Sequence, residues 1–153
     1  MSRVFASDDG AAIVELALVA PLLILLMIGI IDIGRFARET ITIGNAARAG
    51  AQFGAYSTSN STDTASIAST AQSDAIDVAL LPTDVSSSTY CSCGASPGTH
   101  VTACNPTPPC ASGDHLDSFV IVTVTKSFTS LISYPGIPTT FALSKTASQE
   151  ISP

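Results

Sequence analysis

The sequence predicts an α+β fold in which a long N-terminal transmembrane helix is followed by a second helix and a small antiparallel sheet of about three strands with a disulfide-stapled loop. Three observations carry this. Ala11 to Ile31 is a run of twenty-one residues whose only charge is Glu15. Beyond it, apolar positions recur every three to four residues and then, near the C-terminus, alternate. Four cysteines cluster in a stretch rich in Gly and Pro. The 153 residues suit one core, and only 12% are charged, where a soluble domain carries about 25%. Twelve acidic residues against six basic ones give a net charge of −6, and there is no Trp. That balance does not suit nucleic acid as a partner.

At ~1.5 Å per residue the apolar run covers ~31 Å, the thickness of a bilayer's hydrocarbon core. A cleaved secretory signal has an apolar region of ~7–15 residues and a small-x-small stop. Here the run continues into Asp32-Ile33-Gly34-Arg35-Phe36 without one. Pro21 removes one backbone hydrogen bond and crowds the carbonyl of Ala17, which predicts a bend between Ala17 and Pro21. A charged residue in mid-span costs ~2.5–3.5 kcal/mol on insertion scales, so Glu15 implies a partner.

The residues Gly10-Ala11-Ala12-Ile13-Val14-Glu15-Leu16-Ala17-Leu18, followed by Pro21, a leucine run and Gly29-Ile30-Ile31-Asp32-Ile33-Gly34-Arg35, resemble the TadE-like pseudopilins of tight-adherence secretion systems. More broadly they resemble type IV pilins. The resemblance implies that a prepilin peptidase cuts between Gly10 and Ala11, so that residues 1–10 are a leader and Glu15 becomes the fifth residue of the mature chain. It further implies that the Glu15 carboxylate pairs with the free amino group of a neighbouring Ala11, where burial strengthens the attraction. The implied partners are further copies or related pilin subunits, the peptidase, the inner-membrane assembly machinery and membrane lipid. The implied location is the inner membrane before assembly and a surface filament after it. The C-terminal thirty-five residues carry the resemblance weakly, through Val120 to Thr125 and Phe141 to Ala147. Arg3 alone precedes the span, with Asp8 and Asp9, whereas Arg35, Arg38 and Arg48 follow it; the positive-inside count therefore does not favour a cytoplasmic N-terminus, and an uncleaved anchor stays open.

Helical character continues to about Phe53, completing an N-terminal helix and stem over 11–55. Ala46, Gly50 and Gly54 form one row of small residues and Ala47, Ala51 and Ala55 a second. With Gly29 and Gly34, the first row marks candidate sites of close packing against neighbouring helices. Asp32 and Arg35 stand at i,i+3 and Arg35 and Glu39 at i,i+4, so these charges can satisfy one another at the membrane edge.

Residues 56–153 read as the α+β head. Ser57 to Thr64, almost all Ser, Thr and Asn, reads as a turn or linker. Ile67, Ala71, Ala75, Val78 and Leu81 then mark an amphipathic helix over Ala65 to Leu81, ended by Pro82. Strands are predicted at Thr89 to Cys93, Ser118 to Phe128 and Thr139 to Ile151. Pro135-Gly136 supplies type II turn chemistry between the last two.

Cys91, Cys93, Cys104 and Cys110, spaced C-x-C-x10-C-x5-C, lack the usual zinc pairing and read as disulfides of an oxidising compartment. Cys91 and Cys93 point the same way on a strand and do not bridge each other. Two arrangements remain, between which sequence alone does not choose: the nested one, Cys91 to Cys110 with Cys93 to Cys104, towards which we lean, or Cys91 to Cys104 with Cys93 to Cys110. His100 and His115 lie near Asp114 and Asp117, but no G-x-S-x-G elbow, phosphate loop or H-E-x-x-H motif accompanies them. No catalytic residue, metal or cofactor is expected. The leading reading is a pilin-like structural subunit; the alternative is a permanently membrane-anchored extracytoplasmic binding module.

Overall fold

A computed structural model describes residues 8–93, 100–101, 110, 116–133 and 136–152. Helix α1 spans Asp8–Ala55, 48 residues, and runs through Pro21 without a break in its assignment. Two short helices follow, α2 (Thr58–Thr62) and α3 (Thr64–Asp74). The strands are β1 (Val85–Cys93), β2 (His100–Val101), β3 (Leu116–Thr129) and β4 (Thr140–Glu150). All pairs are antiparallel, in the order β2-β1-β3-β4. The sheet is thus the expected three long strands, with a two-residue strand added at the edge of β1.

The head has two layers, helices on one face of the sheet. Strand β3 shows why. Val120, Val122, Val124 and Phe128 are buried at every second or fourth position, the period of one strand face. They meet Ile43, Ala46, Ala47 and Ala51 of α1 and Ile67 and Ala71 of α3 in one apolar core. On the opposite face Tyr90 stacks on its register partner Phe119, ring centroids 5.1 Å apart, and Thr123 and Thr146 share a hydroxyl hydrogen bond of 2.9 Å.

Two readings of the head need correction. Ser57 to Thr64 is not a bare linker but contains α2, because its hydroxyls serve the helix. The Ser57 side chain caps it by accepting from the Asn60 N–H, and the Ser61 hydroxyl donates to the Thr58 carbonyl. Asn60 also donates through Nδ2 to the Phe53 carbonyl near the end of α1, an acceptor it shares with the Tyr56 N–H. The following helix is shorter than the periodicity suggests, stopping at Asp74 rather than Leu81. Beyond it the chain makes a 3-10 turn over Ile76–Val78 and a left-handed residue at Ala79, φ 47°. This reversal is held by one side chain of α3 and two from other elements. Gln72 Nε2 donates to the Leu80 carbonyl, Lys126 Nζ donates to that of Ala79, and Arg38 pairs with Asp77.

Candidate functional site

The head leaves much of α1 uncovered. Its packing begins at Asp32 and continues to Ala55, whereas the apolar stretch before it stands clear. Leu18 is 77% and Ile30 71% exposed, and Gly10, Ala11, Glu15 and Pro21 are exposed as well. An apolar rod of this length greatly exceeds the few hundred Å² of contiguous apolar surface that soluble monomers tolerate. The helix is long and apolar enough to cross a membrane. Glu15 makes no hydrogen bond or ion pair among the described residues.

Rod and head meet at Asp32. This carboxylate is buried at the end of the apolar run and has two donor groups: the Leu131 backbone N–H, 3.1 and 3.0 Å from its two oxygens, and Arg35 Nη1 at 3.1 Å. The Arg35 guanidinium in turn lies 5.4 Å from the centre of the Phe128 ring, against which Phe36 packs edge-on with centroids 5.5 Å apart. The i,i+3 pairing of Asp32 and Arg35 is as the spacing suggests; among the described residues Arg35 makes no ion pair with Glu39. Leu131 and Phe128, ninety-nine and ninety-six positions beyond Asp32, carry no sequence signal for this contact.

Of the small residues in α1, Ala46, Gly50 and Gly54 are buried and face the chain's own head. A Cβ at Gly54 would lie 3.1 Å from both Ile67 Cδ1 and Val120 Cγ2, and one at Gly50 would lie 3.3 Å from Val122 Cγ1. Their helix and sheet partners in this structure are α3 and β3. Gly29 is half-buried beside the β3–β4 turn, and a methyl group placed on Gly34 would have no atom within 4 Å.

Cys93 is bonded to Cys110, with Cα atoms 5.5 Å apart. That bridge overturns the lean towards the nested arrangement, which pairs Cys93 with Cys104. Spacing alone has no means to weigh the sheet: Cys93 ends β1, and its partner returns towards the start of β3, which is paired to it at Leu116. Cys91 is also disulfide-bonded, and its side chain is fully buried. Cys104 and His115 lie outside the described residues, as does the side chain of His100.

Residues 10–52 match the family model described as TadE-like protein. The N-terminal segment of this chain is similar to TadE-like proteins. The matched residues carry most of the helix that is long and apolar enough to cross a membrane. The TadE-like segment covers the exposed apolar rod, the Asp32 junction and most of the stem, and ends before α2. No curated protein and no solved structure matches the chain.

Proposed function

We propose that this protein is a structural subunit of a tight-adherence, type IV-related surface filament. Helix α1 holds it in the inner membrane before assembly, and the same rod then packs against further copies or related pilins. The observation that carries the reading is the division of α1. From Asp32 onward its buried face is used by the head, while Gly10 to Ile31 is apolar and largely exposed. Packing of apolar rods gains little over lipid, because neighbouring helices are no more apolar than acyl chains. Assembly therefore needs a polar term, and Glu15 supplies it. Cleavage between Gly10 and Ala11 by a prepilin peptidase creates the amino group that Glu15 of an adjacent copy neutralises. In a dry rod the attraction between the two charges is stronger than at a wet surface, and a carboxylate left there without its partner is strongly disfavoured.

Intact-mass measurement and electron microscopy of sheared surface material test this together. A chain beginning at Ala11 within ordered fibres is the expected result. A full-length chain found only in the membrane fraction would instead favour a permanently anchored binding module.

A further inference from the structure

The β3–β4 turn sits at the rod end of the head. From Gly54 to Phe36 α1 descends ~27 Å at ~1.5 Å per residue, and from Val120 to Phe128 β3 covers ~26 Å at ~3.3 Å per residue. The two contacts at Gly54–Val120 and Phe36–Phe128 therefore place helix and strand side by side and antiparallel. The turn that follows is fixed at Asp32 by the Leu131 N–H. Asp32 is the first residue after the apolar run.

The turn is built for a dry surrounding. From Ser127 to Ser144 there is no charged residue. Leu131 is 58% and Ile137 54% exposed, and Ile132 adds to the same apolar tip. Several of its backbone groups are nevertheless satisfied internally: the Ser130 N–H donates to the Thr139 carbonyl, the Ser130 hydroxyl to the Ile132 carbonyl, and the Leu131 N–H to Asp32. Exposed backbone in contact with lipid requires such pairing. Between turn and helix lies an open apolar groove of about 450 Å³, which includes Gly29, Ile33, Phe36, Ile137 and Phe141. Gly29 belongs to the last turn of the apolar run, so the groove is continuous with the surface that faces lipid.

We propose that the β3–β4 turn is a second membrane contact, which inserts Leu131, Ile132 and Ile137 into the headgroup–acyl boundary beside α1 while the subunit is membrane-bound, with lipid acyl chain filling the groove. This inference rests on the reading of α1 as a membrane anchor. Continuity with the rod favours lipid over a second copy as the occupant. The depth is set by the Asp32–Leu131 hydrogen bonds, and the tip overlaps the span by about one helical turn, ~5 Å, within the ~5–10 Å reached by interfacial elements. The head is thereby held at a defined height and orientation on the bilayer, not swung freely from a tether.

The chain has no Trp, so single tryptophans report their own positions. Full-length Leu131→Trp, Ile137→Trp, Ile24→Trp and Tyr56→Trp proteins are reconstituted in phosphatidylcholine vesicles with and without brominated acyl chains. Positions 131 and 137 are both more than half exposed, so neither substitution enters the core. Loss of emission at positions 24, 131 and 137, with Tyr56→Trp at the far end of the head unquenched, is the expected result. Quenching at 24 alone overturns the second contact and leaves the anchor standing. No quenching at 24 overturns the anchor and this inference with it. Blue-shifted emission at 131 and 137 that ignores bromination and grows with protein-to-lipid ratio would show a second copy on the turn, and also overturns it.

Discussion

The backbone N–H of Leu131 donates to both carboxylate oxygens of Asp32, at 3.1 and 3.0 Å, joining the first polar residue after the apolar rod to a turn ninety-nine positions later. A buried carboxylate is tolerated only when hydrogen-bonded and paired. Here the Leu131 N–H and Arg35 provide both. The consequence is mechanical, because any force on the rod reaches the sheet through this point as well as through the apolar core.

Asp32→Ala should therefore loosen the rod end of the head. It removes charge-assisted hydrogen bonds, of which the one from the backbone is worth about 1.5–3 kcal/mol, and leaves the Leu131 N–H and the Arg35 guanidinium without their acceptor. Thermal unfolding in detergent should show a loss of that size, with protease cleavage appearing first near residues 130–138. Asp32→Asn keeps one acceptor and should lose less. Equal melting of all three proteins would remove the junction from the stability of the head.

The glycines of α1 should respond in a fixed order. Gly34→Ala meets no atom within 4 Å, so it gains helix propensity, up to about 1 kcal/mol. Gly54→Ala gains the same but presses against Ile67 and the stiff Val120 at 3.1 Å. Overpacking costs about 1–3 kcal/mol, so the net effect is destabilising, and Val120→Ala in the same chain should relieve it. Gly50→Ala, with its nearest atom at 3.3 Å, should fall between. Denaturant unfolding of the three variants gives the order directly.

Removing the Cys93–Cys110 bridge as a Cys93→Ser, Cys110→Ser pair should destabilise the head by about 3 kcal/mol in the chain-entropy account, since the linked residues are 17 positions apart. The double change leaves no new free thiol to exchange with the remaining bridge. Peptide mapping of the unreduced protein should recover Cys93 joined to Cys110. A Cys91–Cys110 peptide would contradict the arrangement.

The parts of this fold legible in the sequence are those where one physical signal dominates. The apolar run marks α1, alternation marks β3 and β4, and Ile67 and Ala71 mark the buried side of α3. The rest depends on contacts that no local pattern encodes. Helix α2 is made of poor helix formers that become adequate through their own caps, and β1 extends back to Val85 through three serines because β3 offers them a ladder. The end of α3 is set by Gln72, Lys126 and Arg38, whose partners lie beyond it in the chain or on other elements. At the junction, the Asp32–Arg35 spacing is visible in the sequence, whereas the decisive donor is a backbone N–H, a group every residue but proline possesses.

Acid should weaken the start of α3. Its N-cap, Asp63, accepts hydrogen bonds from the side chain and backbone of Ser66, which hold its carboxyl below the ordinary value of 3.8. A depressed folded-state value means that the contribution is fully present at neutral pH and is lost as pH falls below about 4 and through the folded value. Asp63→Asn preserves a capping acceptor but removes the titration. The stability difference between wild type and Asp63→Asn should shrink as pH is lowered through this range, and carbon-detected NMR of the Asp63 carboxyl should place its midpoint below that of an unstructured aspartate. Parallel pH profiles would dismiss the cap as the source.

Glu15 separates folding from assembly. Its side chain is exposed and makes no hydrogen bond or ion pair among the described residues, so Glu15→Ala should leave the melting of the head unchanged. Membrane insertion should be preserved or improved, because a charged residue within the span is disfavoured by as much as ~2.5–3.5 kcal/mol at mid-helix. Filament incorporation should nevertheless fall sharply, since a rod without the carboxylate has no more reason to leave lipid for another rod than to remain. Fractionation of cells expressing Glu15→Ala would then find the protein in the membrane and absent from sheared surface material. Normal recovery in that material would mean that apolar packing and the assembly machinery suffice, and that the carboxylate is not the joint between subunits.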